Sequence, residues 1–113
     1  MVASLPYRAT TASGECFDIS FPLHPQTASP TRVARMLSAI LGALDAELRA
    51  ELRINPATGN GDVLQAVAMT LAIRASMIEA PKDLTDQLSV DLLAVALAAM
   101  RDAERRCAYL GHA

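Results

Sequence analysis

A chain of 113 residues is long enough for one compact domain and short for two. Apolar residues make up 52% of it and charged residues 19%, which excludes a disordered chain and a collagen-like one. Ten basic against twelve acidic residues leave a net charge of −2, so no broad basic field attracts phosphates, and two Tyr, two Phe and no Trp leave little on which bases can stack.

Residues 1–30 read as a non-helical arm. Four of the six prolines lie there: Pro6, Pro22, Pro25 and Pro30. Within it Phe17, Ile19, Phe21 and Leu23 alternate with Asp18, Ser20 and Pro22, a period of two that puts the apolar side chains on one face of a strand over residues 15–21. Gly14 opens this strand and Pro22 closes it. A lone strand leaves backbone groups unpaired. Its partner is either residues 4–11, through a turn at Ala12, Ser13 and Gly14, or the same strand of a second subunit.

The remainder, residues 31–113, reads as a mainly α domain with a three-helix body over residues 30–54, 62–80 and 84–110. Ser29 caps the first helix and Pro30 fits its first position. Val33, Met36, Leu37, Ile40, Leu41, Leu44, Leu48 and Leu52 then recur every three or four residues. Asp45 and Arg49 have the spacing of a favourable ion pair. Asn55 before Pro56 ends the helix, because a residue preceding proline is pushed out of the helical region.

Residues 55–61 are a turn-rich loop, with Asp62 or Asn60 as the cap of the second helix. That helix has a thin polar stripe of Asp62, Gln65, Ser76 and Glu79. Apolar residues occupy nearly every other direction, the pattern of a buried central helix. Pro81 closes it. The third helix carries a long apolar seam through Leu88, Leu92, Ala96 and Met100. Its stretch Leu92 to Met100 has no polar face.

Three helices of a monomer need bury only about one face each. Here the second helix and the middle of the third are apolar on more than one, a larger patch than a monomer tolerates. Ala68, Ala72, Ala75, Ala94, Ala98 and Ala99 allow close helix approach. The expectation is a homodimer with Leu71, Met77, Ile78, Leu93, Leu97 and Met100 in its interface. The arm offers a second docking segment for a protein partner.

Chemistry-bearing residues are sparse. Arg74, among apolar neighbours, reads as a packed stem whose head reaches solvent or pairs with an acid such as Asp91; the sharper reading is an anchor for an anionic ligand or ion pair. Cys16, His24, Cys107 and His112 have the composition of a zinc site but not its spacing. Cys107 fits the apolar seam of the third helix as a structural thiol. Cys16 and His24 lack the local signature of a nucleophile and its base. Thr58 to Gly61 lack the lysine and spacing of a phosphate loop. Asp62, Asp83, Asp86 and Asp91 sit near helix starts, where capping or the dipole accounts for them. No catalytic, metal or cofactor-binding residues are assigned, and no cofactor is implied.

Two widely spaced cysteines point to free thiols in the cytoplasm. The first sixteen residues lack the apolar run of a signal peptide. The longest apolar run, Leu92 to Met100, is far shorter than the ~20 residues a bilayer needs, so no membrane span is expected. The function most consistent with this pattern is an oligomeric interaction or scaffold protein. The alternatives are a DNA-binding regulator of strand–helix–helix type, disfavoured by Glu15, Asp18 and Ser20 where basic residues belong, and a small-ligand-binding helical bundle.

Overall fold

A computed structural model describes residues 3–10 and 16–110, with side chains through residue 103. An N-terminal antiparallel hairpin, β1 (Ser4–Thr10) and β2 (Cys16–Pro22), precedes three helices: α1 (Pro30–Ile54), α2 (Asn60–Ser76) and α3 (Lys82–Leu110). The fold is mainly helical, as expected. The single strand anticipated over residues 15–21 is one arm of a pair, and residues 4–10 supply the other. Pairing within the chain therefore satisfies the backbone of β2 on one side. The turn expected at residues 12–14 and the Gly14 opening lie outside the described residues.

The hairpin register follows from its side chains. Leu5 faces Phe21, Tyr7 faces Ile19 and Ala9 faces Phe17 on one surface, while Arg8 faces Asp18 and Pro6 faces Ser20 on the other. Period-two alternation in both strands thus gives one apolar and one polar face. Leu5 and Ile19, on the apolar face, are 8% and 5% exposed; burying each such side chain is worth about 1.5–3 kcal/mol.

Leu23 N–H donates to the Ala3 carbonyl at 2.8 Å, extending the ladder by one pair. That bond sets its phase. In an antiparallel ladder hydrogen-bonded and non-hydrogen-bonded pairs alternate. The odd-numbered pairs therefore bond across the hairpin, and the even-numbered residues turn their backbone groups outward. Pro6 and Pro22 both fall on outward positions, where the missing N–H removes no bond of this ladder.

The chain divides into two compact units, Met1–Leu37 with Leu92–Ala113 and Ser38–Asp91. The first holds the hairpin, the start of α1 and the C-terminal part of α3, with Leu5, Ile19 and Ala103 buried. The second holds the rest of α1, all of α2 and the start of α3, with Ala75 and Thr85 buried. The Thr85 hydroxyl is satisfied by donating to the Lys82 carbonyl at 3.0 Å.

Local chemistry sets the helix ends. The Ser29 hydroxyl accepts from Arg32 N–H at 3.2 Å, so α1 starts as its cap predicts. After Ile54 the Asn55 side chain accepts from Ala57 N–H at 3.0 Å, and Thr58 N–H donates to the Asn55 carbonyl, closing a turn. The N-cap of α2 is Gly59 rather than Asn60 or Asp62, so the helix begins at Asn60 and not at residue 62. Asp62 acts from the third helical position, where its carboxylate accepts from Gly59 N–H at 3.1 Å.

α2 ends at Ser76, four residues short of the expected residue 80. Pro81 is the reason. Its ring clashes with the carbonyl four residues back, that of Met77, and it disfavours helical backbone at Ala80. The chain tightens instead: Met77 N–H and Ile78 N–H donate three residues back, to Arg74 and Ala75. The Pro81 carbonyl then accepts from Leu84 and Thr85 N–H, so α3 begins at Lys82, two residues before the expected start.

α2 is not the buried central helix its composition predicts; among its described residues only Ala75 is buried. Helical periodicity shows which side chains avoid water, not whether this one chain supplies the cover. Among the described residues, the extensive packing of one element on another is that of β1 on β2.

Gly42 lies within α1, and a Cβ added there meets nothing within 4 Å. Gly42→Ala is expected to raise stability by about 0.5–1 kcal/mol through helix propensity. The reading is a higher urea midpoint with an unchanged slope; a lower midpoint means that another backbone packs on this position.

Candidate functional site

The outstanding surface feature is apolar. α2 shows it most clearly. Leu64 and Ile73 are nine residues apart, which at about 100° per residue puts them on opposite sides of the helix. Leu64 is 70% exposed and Ile73 62%. Two of the helix's polar residues, Thr70 and Ser76, add little polarity to this surface. Thr70 turns its hydroxyl to the Ala66 carbonyl at 2.8 Å, and Ser76 turns its own to Ala72 at 2.9 Å. Both hydroxyls spend their protons on the helix's own backbone, which leaves their apolar atoms outward.

The six residues expected at an interface divide by position. Leu71 is in α2, and Leu93, Leu97 and Met100 are in α3. Met77 and Ile78 lie in the turn after α2, not on the helix, because Pro81 unwinds that segment. Leu71, Met77, Ile78, Leu93 and Leu97 are exposed, and Met100 is half-buried. Met36 and Ile40 of α1 are exposed as well. Among the described residues no helix is long and apolar enough to cross a membrane.

Arg74 is exposed on α2 and donates to the Met77 thioether at 3.2 Å, a weak acceptor. The acid expected as its partner, Asp91, instead accepts from the Gln87 side chain at 2.8 Å. The anticipated Asp45–Arg49 ion pair also takes another form. Arg49 Nε donates to the Asp45 backbone carbonyl at 3.3 Å, which its reach along one helical turn permits.

The polar face of the hairpin carries the site that the sequence reading missed. Arg8 Nε donates to Asp18 Oδ1 at 2.6 Å and Arg8 Nη2 to Asp18 Oδ2 at 3.0 Å, a fork-on-fork pair. With Pro6, Tyr7, Ile19 and Ser20 the pair lines a depression of about 340 Å³. The signal was present in the alternation: once residues 4–10 pair with 16–22, Arg8 must face Asp18. Arg74 does not line this depression.

His24 Nδ1 accepts from Gln26 N–H at 3.1 Å, in the turn that follows β2. Its ring thereby serves local structure. Cys16 is exposed at the start of β2. Among the described residues no three His, Cys, Asp or Glu side chains gather where a metal ion would be held. Cys107 and His112 are outside the residues whose side chains are described.

The Arg8–Asp18 pair is largely in water, with side chains 70% and 42% exposed. Solvent screening keeps such a pair below about 1 kcal/mol. Asp18→Asn is therefore expected to cost less than that in chemical denaturation, with the deficit shrinking in about 1 M salt. A larger, salt-insensitive loss would show the pair to be covered in the working protein. The chain matches no protein-family model, no curated protein and no solved structure, so its site is read from its own residues.

Proposed function

We propose that this protein works as a homodimer, an interaction or scaffold protein whose exposed helix surface is covered by a second copy of itself. One observation carries the reading: α2 presents apolar side chains to solvent on opposite sides. A helix placed against any single neighbour covers one side only.

The hairpin's polar face argues against duplex DNA as the occupant. Its arginine is matched by the Asp18 carboxylate, and its other side chains are neutral. The net charge of −2 adds no electrostatic attraction.

Light scattering at micromolar concentration is expected to return twice the chain mass. Leu71→Lys combined with Leu97→Lys shifts it towards one chain and lowers the melting temperature, since both lysines enter an apolar interface. On a monomer surface the same changes stay within about 0.5 kcal/mol each. A single-chain mass for the unmodified protein overturns the reading.

A further inference from the structure

We infer that Asn60, at the entrance to α2, is a site of spontaneous backbone modification: its side-chain amide cyclises onto the Gly61 nitrogen, releases ammonia and hydrolyses to aspartate or isoaspartate. This site is independent of what covers the helices.

The chain has two asparagines, and the residues that follow them set them apart. Asn55 precedes Pro56, whose nitrogen carries no hydrogen and cannot attack a neighbouring amide. The Asn55 side-chain oxygen also accepts from Ala57 N–H at 3.0 Å. Asn60 precedes Gly61, where no side chain shields the backbone nitrogen. A Cβ added at Gly61 meets nothing within 4 Å, so the space beside this peptide is open. Asn60 and Gly61 are both exposed.

The hydrogen bonds at the helix start leave the reacting groups free. Asp62 N–H and Val63 N–H donate to the Gly59 carbonyl at 3.1 and 3.3 Å. Gly61 N–H is among the first donors of the helix, which have no acceptor within it, and among the described residues it donates to none. No hydrogen bond among the described residues holds the Asn60 side chain. Ring closure requires Asn60 to leave helical backbone geometry. At the first residue of the helix, between two glycines, that opens one terminal turn and not the whole helix.

The step needs water and no cofactor, and nothing is oxidised or reduced. Hydroxide takes the Gly61 amide proton, the nitrogen bonds to Asn60 Cγ, and the Cγ–Nδ2 bond breaks as ammonia leaves with a proton from water. Water then opens the five-membered ring. Cleavage between Cγ and the nitrogen restores the chain with aspartate at position 60. Cleavage at the original backbone carbonyl routes the chain through the side chain, as isoaspartate.

The two products act on α2 in opposite directions. Aspartate adds one negative charge to the net −2 and places it at the positive end of the helix dipole. Isoaspartate inserts a methylene into the backbone between Gly59 and Asp62. The bond from Gly59 N–H to the Asp62 carboxylate, and the backbone bonds returning to the Gly59 carbonyl, then lose their register.

Peptide mapping by mass spectrometry tests the site on the folded full-length protein held at mildly alkaline pH. The fragment containing Asn60 is expected to gain about 1 Da, as an amide becomes a carboxyl, while Asn55 stays unchanged. Gly61→Ala slows the conversion at least about tenfold, because the added methyl shields the nitrogen, and the open space around it lets this variant fold. Asn60→Asp, already one of the products, gains no mass. An Asn60 that stays intact while a free peptide of residues 55–65 converts overturns the inference, as does equal conversion in Gly61→Ala. A rate that rises in proportion to the unfolded fraction in low urea places the reaction in the unfolded chain and overturns it too.

Discussion

Apolar helix surface that one chain leaves in water is the constraint on which everything else here depends. Each exposed leucine or isoleucine forgoes roughly 1.5–3 kcal/mol that burial would supply. Among the described residues the buried apolar side chains are Leu5, Ile19, Ala75 and Ala103; two of the four are alanines. Folding must offset conformational entropy of comparable total size. The hydrophobic gain scales with the area taken out of water, so most of what these helices could contribute lies in the surface they still expose.

The hairpin behaves differently from the helices. Its two faces are sorted by alternation, its backbone is paired across the inner ladder, and its prolines sit where they cost nothing to that ladder. A two-stranded ribbon is still marginal by itself. The Arg8–Asp18 pair on its outer face adds orientation more than energy, since both side chains remain in contact with water. The apolar face with Leu5 and Ile19 does the stabilising, and it does so inside the unit that also contains the buried Ala103.

Between helices the chain is governed by a few short-range effects. Ser29 and Asn55 supply oxygens to backbone donors within three residues of themselves. Gly59 takes an extended conformation at the entrance to α2, and Asp62 reaches back to it. Pro81 acts in both directions: it unwinds the end of α2 as far as Met77, and its carbonyl receives the first amides of α3. Moving Met77 and Ile78 from a helix into a turn changes where they point, yet it leaves both exposed and available for cover.

The amino-acid sequence by itself determined the number of helices, the limits of α1 and the two-faced nature of β2. Those features rest on effects that act within a few residues: the Ser29–Pro30 cap, the Asn55–Pro56 stop, the Phe17–Ile19–Phe21 alternation. It also contained the surplus of apolar helix, since composition and period are local quantities. Only the tertiary structure decided that β1 pairs with β2, and thereby that Arg8 meets Asp18, because strand pairing joins residues ten apart whose match no local rule specifies. It also decided that α2 lies open rather than central. Periodicity records which side chains avoid water; whether they succeed within one chain depends on what the other elements can reach.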